Sequence, residues 1–335
     1  MISKQQAQGR LAGHPCTCCM IMKIIKPVIG VLATGFILMY FSELLFWAHV
    51  RPGDSWTGWL ETWLAYSLLG FVFLSLVARF KVRTIWALFL AGAAFGWLAE
   101  GLVVQTTYES LPLSISFTGL AWHATISVWV GWYAVRKAIN AGFRRGLWMS
   151  AAVGLLYGLW AISWWVEPGE KITAPLDFAG FSCLSTLFVM LAYWLYDRTI
   201  PGSFAPNRAA EIGVAALFLL YFVFATVPAA PLSLALLPAL LAMLYFALRL
   251  NRRAEGRPDL LSVRLDPLPS LWRSLSLLAL PLAAAAVYTL AFWAGLRWHT
   301  NWILYIVTTP LGFMLLFISL IKIWKTRSPA VTPPV

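Results

Sequence analysis

Charged side chains are scarce in this chain. Only 11% of its 335 residues are Asp, Glu, Lys or Arg, and Asp and Glu together number 13. Hydrophobic residues make up 61%, and the mean hydropathy is +0.77. Soluble globular domains usually contain about 25% charged residues. The composition therefore excludes an ordinary soluble protein and leaves little length for a soluble domain beside membrane spans.

Cysteine and histidine are also few, with four of each. Cys16, Cys18 and Cys19 lie together, but no second ligand pair follows them at the spacing of a zinc site. Cys183 stands alone in an apolar run. The sequence thus contains no disulfide framework and no recognisable metal motif, so a metal or other cofactor is neither indicated nor identified and stays unknown.

About ten apolar runs of roughly 18 to 25 residues fill the chain instead, each long enough to cross about 30 Å of hydrocarbon as a helix. They predict an all-α, polytopic transmembrane helix bundle with a lipid bilayer as its surroundings. The predicted spans lie near residues 27–48, 57–78, 84–104, 113–135, 147–166, 176–196, 212–227, 232–250, 275–295 and 301–321.

The basic residues are concentrated in every second connection between the predicted spans. Of the 25 Lys and Arg residues, only Arg51, Lys171 and Arg297 fall on one side of the predicted spans, which leaves 22 on the other side. Because cytoplasmic loops carry the excess of Lys and Arg, both termini are predicted to be cytoplasmic, in a multi-pass protein of the plasma membrane. The net charge of +12 then indicates contact with anionic lipid head groups and not with nucleic acid.

The composition also changes along the chain. Fourteen of the 19 Trp residues and nine of the 13 acidic residues precede residue 200. We therefore predict a cytoplasmic segment at 1–26, with Met20 or Met22 as an alternative start, and a six-span portion at 27–200 that carries a polar site. A four-span portion follows at 201–325, with a basic cytoplasmic loop at 251–274, and residues 326–335 are predicted to be a disordered tail.

Among the ionisable residues that fall inside or at the ends of the predicted spans, Glu43, Glu100 and His123 are the candidates for a site. A carboxylate in hydrocarbon costs several kcal/mol unless it is paired or hydrated, so such residues indicate function by default. Four-residue spacing places Glu100 on a helix face with Gly92 and Gly96. His123 lies at the same four-residue intervals as the small residues Gly119, Ser127 and Gly131. Gly35, Met39 and Glu43 also follow one another at four-residue intervals.

Small residues in such stripes let helices approach closely. We therefore predict that Glu43, Glu100 and His123 share one outward-facing site, with a small molecule or a lipid as the ligand. Two carboxylates and an imidazole can activate water or hold a divalent metal, so these three are the candidate catalytic residues. The predicted rim of the site consists of Tyr108, Glu109, Trp164, Trp165 and Glu167.

Three short segments resemble the glutamate-dependent intramembrane proteases of the CAAX-processing and bacteriocin-immunity type. They are Ser42-Glu-Leu-Leu-Phe-Trp47, Phe95-Gly-Trp-Leu-Ala-Glu100 and His123-Ala-Thr-Ile-Ser127, within about 90 residues. The resemblance implies a membrane-embedded hydrolase. The chain departs from the family pattern at four positions: Ser42, Trp47, Ala99 and Ser127 stand where the family has Glu, Arg, His and Asn.

Two other interpretations stay open. Ten spans with both ends inside resemble the drug/metabolite transporter superfamily, which is built from two inverted five-span repeats and would make the chain a small-molecule transporter. The chain is also compatible with a non-catalytic subunit of a larger membrane assembly. The sequence alone does not decide between an enzyme, a transporter and a subunit.

Overall fold

A computed structural model describes residues 17–169, 172–202, 204–252, 260–261 and 270–325. The predicted tail at 326–335, most of the basic loop at 251–274 and the first 16 residues of the predicted N-terminal segment lie outside these ranges. Every regular element in the described ranges is helical, so the all-α prediction is confirmed for this part of the chain.

Long helices follow one another, and short loops join most of them. We number them α1 (Ile25–Trp47), α2 (Trp56–Arg79), α3 (Ile85–Val103), α4 (residues 114–141), α5 (Phe143–Val166), α6 (Pro175–Thr199), α7 (Arg208–Ala229), α8 (Ser233–Asn251), α9 (Leu271–Trp293) and α10 (Thr300–Lys325). The helical backbone of α1 begins earlier, at Thr17. A single 3₁₀ turn, Thr106–Tyr108, lies between α3 and α4.

Nine of these helices are long and apolar enough to cross a membrane, as expected for an integral membrane protein. The exception within the described chain is α4, which occupies the predicted fourth span. It is long enough to cross, but Trp122, His123, Ser127 and neighbouring Trp and Gly residues lower its mean hydropathy. Helix α4, which is less apolar than the other nine long helices, therefore carries the predicted site residue His123.

Local side-chain chemistry sets several helix starts. Ser55 precedes α2 and accepts a hydrogen bond from a backbone N–H of the first turn, and Thr84 does the same for α3. Asn207 caps α7 in this way. Such caps satisfy backbone donors that have no partner inside the helix. Pro175 opens α6, at a position where its missing N–H is not needed.

Helices α3 and α4 form the centre of the bundle. Every residue from 87 to 102 on α3 is buried, and this helix packs against α4, α2, α8 and α10. Helix α1 lies between α2 and α6 and also contacts α4, while α9 packs against α5 and α6. Helices α8, α9 and α10 therefore join the same bundle as the first six. Helix α7 lies at the periphery against α2, with no buried residue before Thr226.

Glycine determines how closely α3 and α4 approach. A Cβ atom at Gly96 would lie 2.1 Å from the carbonyl oxygen of Gly119, and one at Gly92 would lie 3.1 Å from the Cα atom of Ala124. The two backbones are therefore in direct contact, as small residues allow in membrane bundles. This contact puts Glu100 of α3 and His123 of α4 at the same level.

Candidate functional site

Four helical segments in the described chain have π-helical hydrogen bonding, at Tyr40–Leu44, Ala99–Val103, Phe117–Val135 and Phe222–Thr226. The first three contain Ser42 and Glu43, Glu100, and His123 and Ser127 respectively. Because π turns are rare and occur frequently at functional sites, their coincidence with the polar residues of the core marks this region as the candidate site.

The site is a continuous row of hydrogen-bonded side chains, which we call the polar relay: Glu100, His123, Ser42 and Ser127. His123 Nε2 lies 2.6 Å from Glu100 Oε1, and His123 Nδ1 lies 2.9 Å from Ser42 Oγ. Ser42 Oγ is in turn 2.8 Å from Ser127 Oγ. Thr106 donates its hydroxyl proton to the second oxygen of Glu100. The relay thus joins α1, α3 and α4.

The donors and acceptors of this row fix the direction of each bond. With Glu100 as a carboxylate, His123 must donate its Nε2–H to Glu100, because an ionised carboxylate only accepts. In the neutral imidazole, Nδ1 is then an acceptor, so the Ser42 hydroxyl donates its proton to Nδ1. Ser127 donates to Ser42 Oγ. A serine hydroxyl aimed at an imidazole that a carboxylate orients is the arrangement of an activated nucleophile.

The relay is buried and tightly packed. The exposed fractions are 3% for Ser42, 2% for His123, 9% for Glu100 and 0% for Ser127. The ring of Phe95 packs edge-on against the His123 imidazole, with centroids 5.4 Å apart. Hydrogen bonds in such an environment are stronger than in water, and a missing partner is correspondingly costly.

Glu43 belongs to a second group of contacts beside the relay. It accepts hydrogen bonds from the Tyr66 hydroxyl, at 2.6 Å, and from Trp47 Nε1, at 3.0 Å. The centroid of the Tyr66 ring lies 6.5 Å from that of the His123 ring. The structure therefore brings Glu100 and His123 together directly, whereas Glu43 is linked to them through Tyr66.

Glu43 also lines a cavity of about 140 Å³, which we call the Glu43 pocket. Its wall comes from the end of α1, the 48–55 loop, the first turns of α2 and one residue of α6. The lining includes Trp47, His49, Arg51, Asp54, Trp59 and Phe181. Asp54 accepts hydrogen bonds from the backbone N–H of Arg51, at 2.9 Å, and from Arg51 Nη2, at 3.2 Å.

None of the five predicted rim residues lines the Glu43 pocket. Trp165 donates to the Tyr288 hydroxyl on α9, and Glu167 accepts from Asn301 on α10, so both are used in helix packing. Trp164 comes nearest, since it stacks on Trp47 with ring centroids 4.9 Å apart.

The other two predicted rim residues lie in the loop between α3 and α4. Tyr108 donates its hydroxyl to the carbonyl of Gly101, 2.8 Å away, and burial raises its pKa to about 12, so it stays a neutral donor. Glu109 is exposed. The mouth of the pocket is instead the 48–55 loop, whose side chains carry no periodic signal that sequence analysis can use.

Sequence analysis also missed Ser42 and Tyr66. Ser42 stood out only as a departure from a protease pattern, although it is the residue that meets His123. Tyr66 lies in an apolar helix, at four-residue intervals from Gly58, Thr62 and Gly70, but that stripe contains no ionisable carboxylate or imidazole to draw attention to it. Ser127 was recognised as a small residue that shares a face with His123, but its hydroxyl contact was not expected.

A metal centre would need more ligands than this site offers. Among the described residues, no three His, Cys, Asp or Glu side chains are grouped so that they can hold a metal ion. Glu100 and His123 are two adjacent ligand types, but the second imidazole nitrogen meets a serine and not another carboxylate.

Comparison with protein-family models, curated proteins and solved structures finds no match. The function of the chain is therefore inferred from the contacts of the polar relay and of the Glu43 pocket.

Proposed function

We propose that the chain is a ten-span integral membrane hydrolase in which Ser42 is the nucleophile, His123 the general base and Glu100 the group that orients the imidazole. The observation that carries this proposal is the row Glu100–His123–Ser42, with spacings of 2.6 and 2.9 Å inside a buried core. Helix α4 is the tenth span in this proposal, which makes the span number even and puts both termini in the cytoplasm, in agreement with the distribution of basic residues.

The reaction is an acyl transfer through Ser42. The Ser42 Oγ attacks a carbonyl carbon of an ester or amide while its proton passes to His123 Nδ1. Glu100 stabilises the resulting imidazolium through the Nε2–H bond. The C–O or C–N bond to the leaving group breaks, and the leaving group takes the proton from Nδ1. A water molecule then repeats the sequence on the acyl-serine and regenerates the Ser42 hydroxyl.

The depth of the polar relay in the membrane indicates an amphipathic substrate. Ser42 lies five residues from the end of α1, and Glu100 lies three residues from the end of α3, so both are in the half of the bundle that holds loop 48–55. In the proposed orientation this is the outer half. Met39 and Glu43 line the Glu43 pocket on either side of Ser42 in sequence, and Tyr66, whose hydroxyl donates to Glu43, lies between the pocket and the His123 ring. A substrate in this pocket reaches Ser42 by displacing Tyr66.

Covalent labelling tests the nucleophile. The detergent-purified full-length protein is incubated with a fluorophosphonate probe, and the modified peptide is identified by mass spectrometry. We expect a phosphonyl group on Ser42 that is absent from Ser42→Ala and strongly reduced in His123→Gln. Ser67→Ala is the matched control, because Ser67 is also buried at this end of the bundle but donates to the Trp63 carbonyl, 2.7 Å away.

A folded wild-type protein that takes up no probe would contradict the proposal. Equal labelling of the wild type and Ser42→Ala would contradict it as well. Folding of each variant is checked by its elution as a single species and by its unfolding temperature, so that loss of label is not confused with loss of structure.

A transporter is the second candidate, and one observation favours it. At the opposite end of α4, Arg136 Nε lies 2.5 Å from Asp197 Oδ1 of α6, and both side chains are largely buried. An ion pair that closes one end of a bundle while a pocket is open at the other is the arrangement expected for alternating access.

A cysteine substituted for Ser42 separates the two candidates. In a transporter, Asp197→Asn would open the closed end, and the thiol would then react with an impermeant maleimide from both sides of the membrane. In a hydrolase with a fixed bundle, the thiol would react from the side of loop 48–55 alone, with or without the Asp197 change.

A further inference from the structure

The Glu43 pocket brings an acidic and a basic side chain to one cavity, each with hydrogen-bonding capacity left. Its volume of about 140 Å³ is several times what a single water molecule requires. Apolar side chains, among them Leu44, Trp59 and Phe181, form part of its wall. The cavity therefore suits a group larger than water that carries charge on one part and is otherwise apolar.

Glu43 is the acidic group. Its Oε1 accepts from Tyr66 and its Oε2 from Trp47, one bond at each oxygen. An ionised carboxylate has about four acceptor positions, so roughly half of this capacity remains for a ligand. Both partners are neutral donors, and no residue of the described ranges brings an opposite charge into direct contact with Glu43, whereas the other acidic side chain of the pocket, Asp54, is paired with Arg51. An ammonium group of a ligand would supply that charge.

Arg51 is the basic group. Its Nη2 is bound to Asp54, and its guanidinium lies over the ring of Trp47, 4.1 Å from the ring centroid. These contacts hold the side chain in place at the pocket. Its Nε donor is buried and has no hydrogen-bond partner among the described residues. Buried donors are rarely left unpaired, so an acceptor on a ligand is expected there.

From these two groups we infer that the Glu43 pocket binds a zwitterionic group, with its ammonium at Glu43 and its phosphate or carboxylate at Arg51. The pocket lies between the end of α1 and the start of α2, which is the level of lipid head groups in the proposed orientation. A phosphatidylethanolamine head group and a free aminophosphate share this chemistry. The inference goes beyond the proposed hydrolase, because it needs Glu43 and Arg51 and does not depend on Ser42.

In the experiment, the full-length protein is given both candidate ligands, the lipid and the free aminophosphate. Delipidated protein in detergent is incubated with equal amounts of phosphatidylethanolamine and phosphatidylglycerol with identical acyl chains, and bound lipid is counted by native mass spectrometry. In a second arm, soluble phosphoethanolamine is titrated while tryptophan fluorescence is followed, since Trp47 and Trp59 line the pocket.

We expect the wild type to retain phosphatidylethanolamine in preference to phosphatidylglycerol, or to respond to phosphoethanolamine, depending on which source fills the pocket. Glu43→Gln and Arg51→Gln should each weaken binding by about tenfold or more, the loss expected for a hydrogen bond to a charged group. Glu61→Gln and Arg297→Gln are the matched controls, because both residues are exposed and lie outside the pocket lining.

Equal retention of the two lipids together with no response to phosphoethanolamine would overturn the inference. Wild-type affinity in both Glu43→Gln and Arg51→Gln would overturn it too. Ser42→Ala should bind as the wild type does, so a failure of this inference is distinguishable from a failure of the hydrolase proposal.

Discussion

Replacing Gly96 with alanine tests the contact that assembles the polar relay. The added Cβ would lie 2.1 Å from the Gly119 carbonyl oxygen and 2.9 Å from His123 Cβ, where ordinary contact begins at 3.4 Å. The obstacle is backbone, which cannot rotate away, so α4 must move by more than an ångström. Such a movement away from α3 would lengthen the 2.6 Å bond between His123 and Glu100 beyond hydrogen-bonding distance.

The expected change in the free energy of unfolding on Gly96→Ala combines two opposing effects. Alanine in a helix interior is intrinsically better than glycine by about 1 kcal/mol. Overpacking of a tight contact typically costs about 1–3 kcal/mol. We expect overpacking to exceed the propensity gain, because the clash is with backbone, and Gly96→Ala should lower the unfolding temperature.

Gly213→Ala is the matched control. Gly213 lies in the exposed helix α7 with nothing within 4 Å of its Cβ position, so only the propensity term applies and the unfolding temperature should hold or rise. Gly30→Ala should lie between the two, because its Cβ would meet the Ile200 side chain at 2.4 Å, and side chains can move. The measurement is thermal unfolding of all three variants in one detergent. Equal shifts for Gly96→Ala and Gly213→Ala would refute the close contact of α3 and α4 at this point.

Three further predictions concern charge and topology. Glu100→Ala should cost about 1–3 kcal/mol because it leaves the buried Nε2–H of His123 without its acceptor, whereas Glu61→Ala, at an exposed position, should change stability by less than about 0.5 kcal/mol; similar unfolding temperatures would contradict the buried pairing. Asp197→Ala should destabilise the protein far more than Glu211→Ala, because the Arg136–Asp197 pair is buried while Arg79 of the Arg79–Glu211 pair is exposed, and chemical denaturation of both variants compares them. Cysteines substituted for Thr57 and Arg144 should react with an impermeant maleimide from opposite sides of the membrane; labelling from the same side would show that the number of crossings between them is even.

The helical architecture could be predicted from the sequence because the length and apolarity of a span are local properties. Nine of the predicted spans correspond to apolar helices, and the tenth corresponds to α4. The pairing of Glu100 with His123 was predictable for a related reason. Both residues share a helix face with glycines, and a face of small residues must meet a neighbour closely, as it does at Gly96.

The small-residue pattern did not identify the helix that Glu43 meets, and the reason is physical. Gly35, Met39 and Glu43 do share a face of α1, since Met39 and Glu43 both line the Glu43 pocket. That face meets α2 and not α4: a Cβ at Gly35 would lie 2.5 Å from the Cα atom of Ser67. A stripe of small residues predicts a close contact without identifying the partner helix, so the adjacent residue, Ser42, was left to face His123.

The π turns make the relay dependent on the exact number of residues in its helices. A π turn contains one residue more than the α-helical turn it replaces, so deleting one residue from Tyr40–Leu44 or Ala99–Val103 would return the segment to α geometry without breaking the helix. A one-residue change in register rotates the side chains on one side of it by about 100° relative to the other. Loss of one codon here would therefore leave a membrane-inserted bundle whose serine or glutamate no longer faces the histidine.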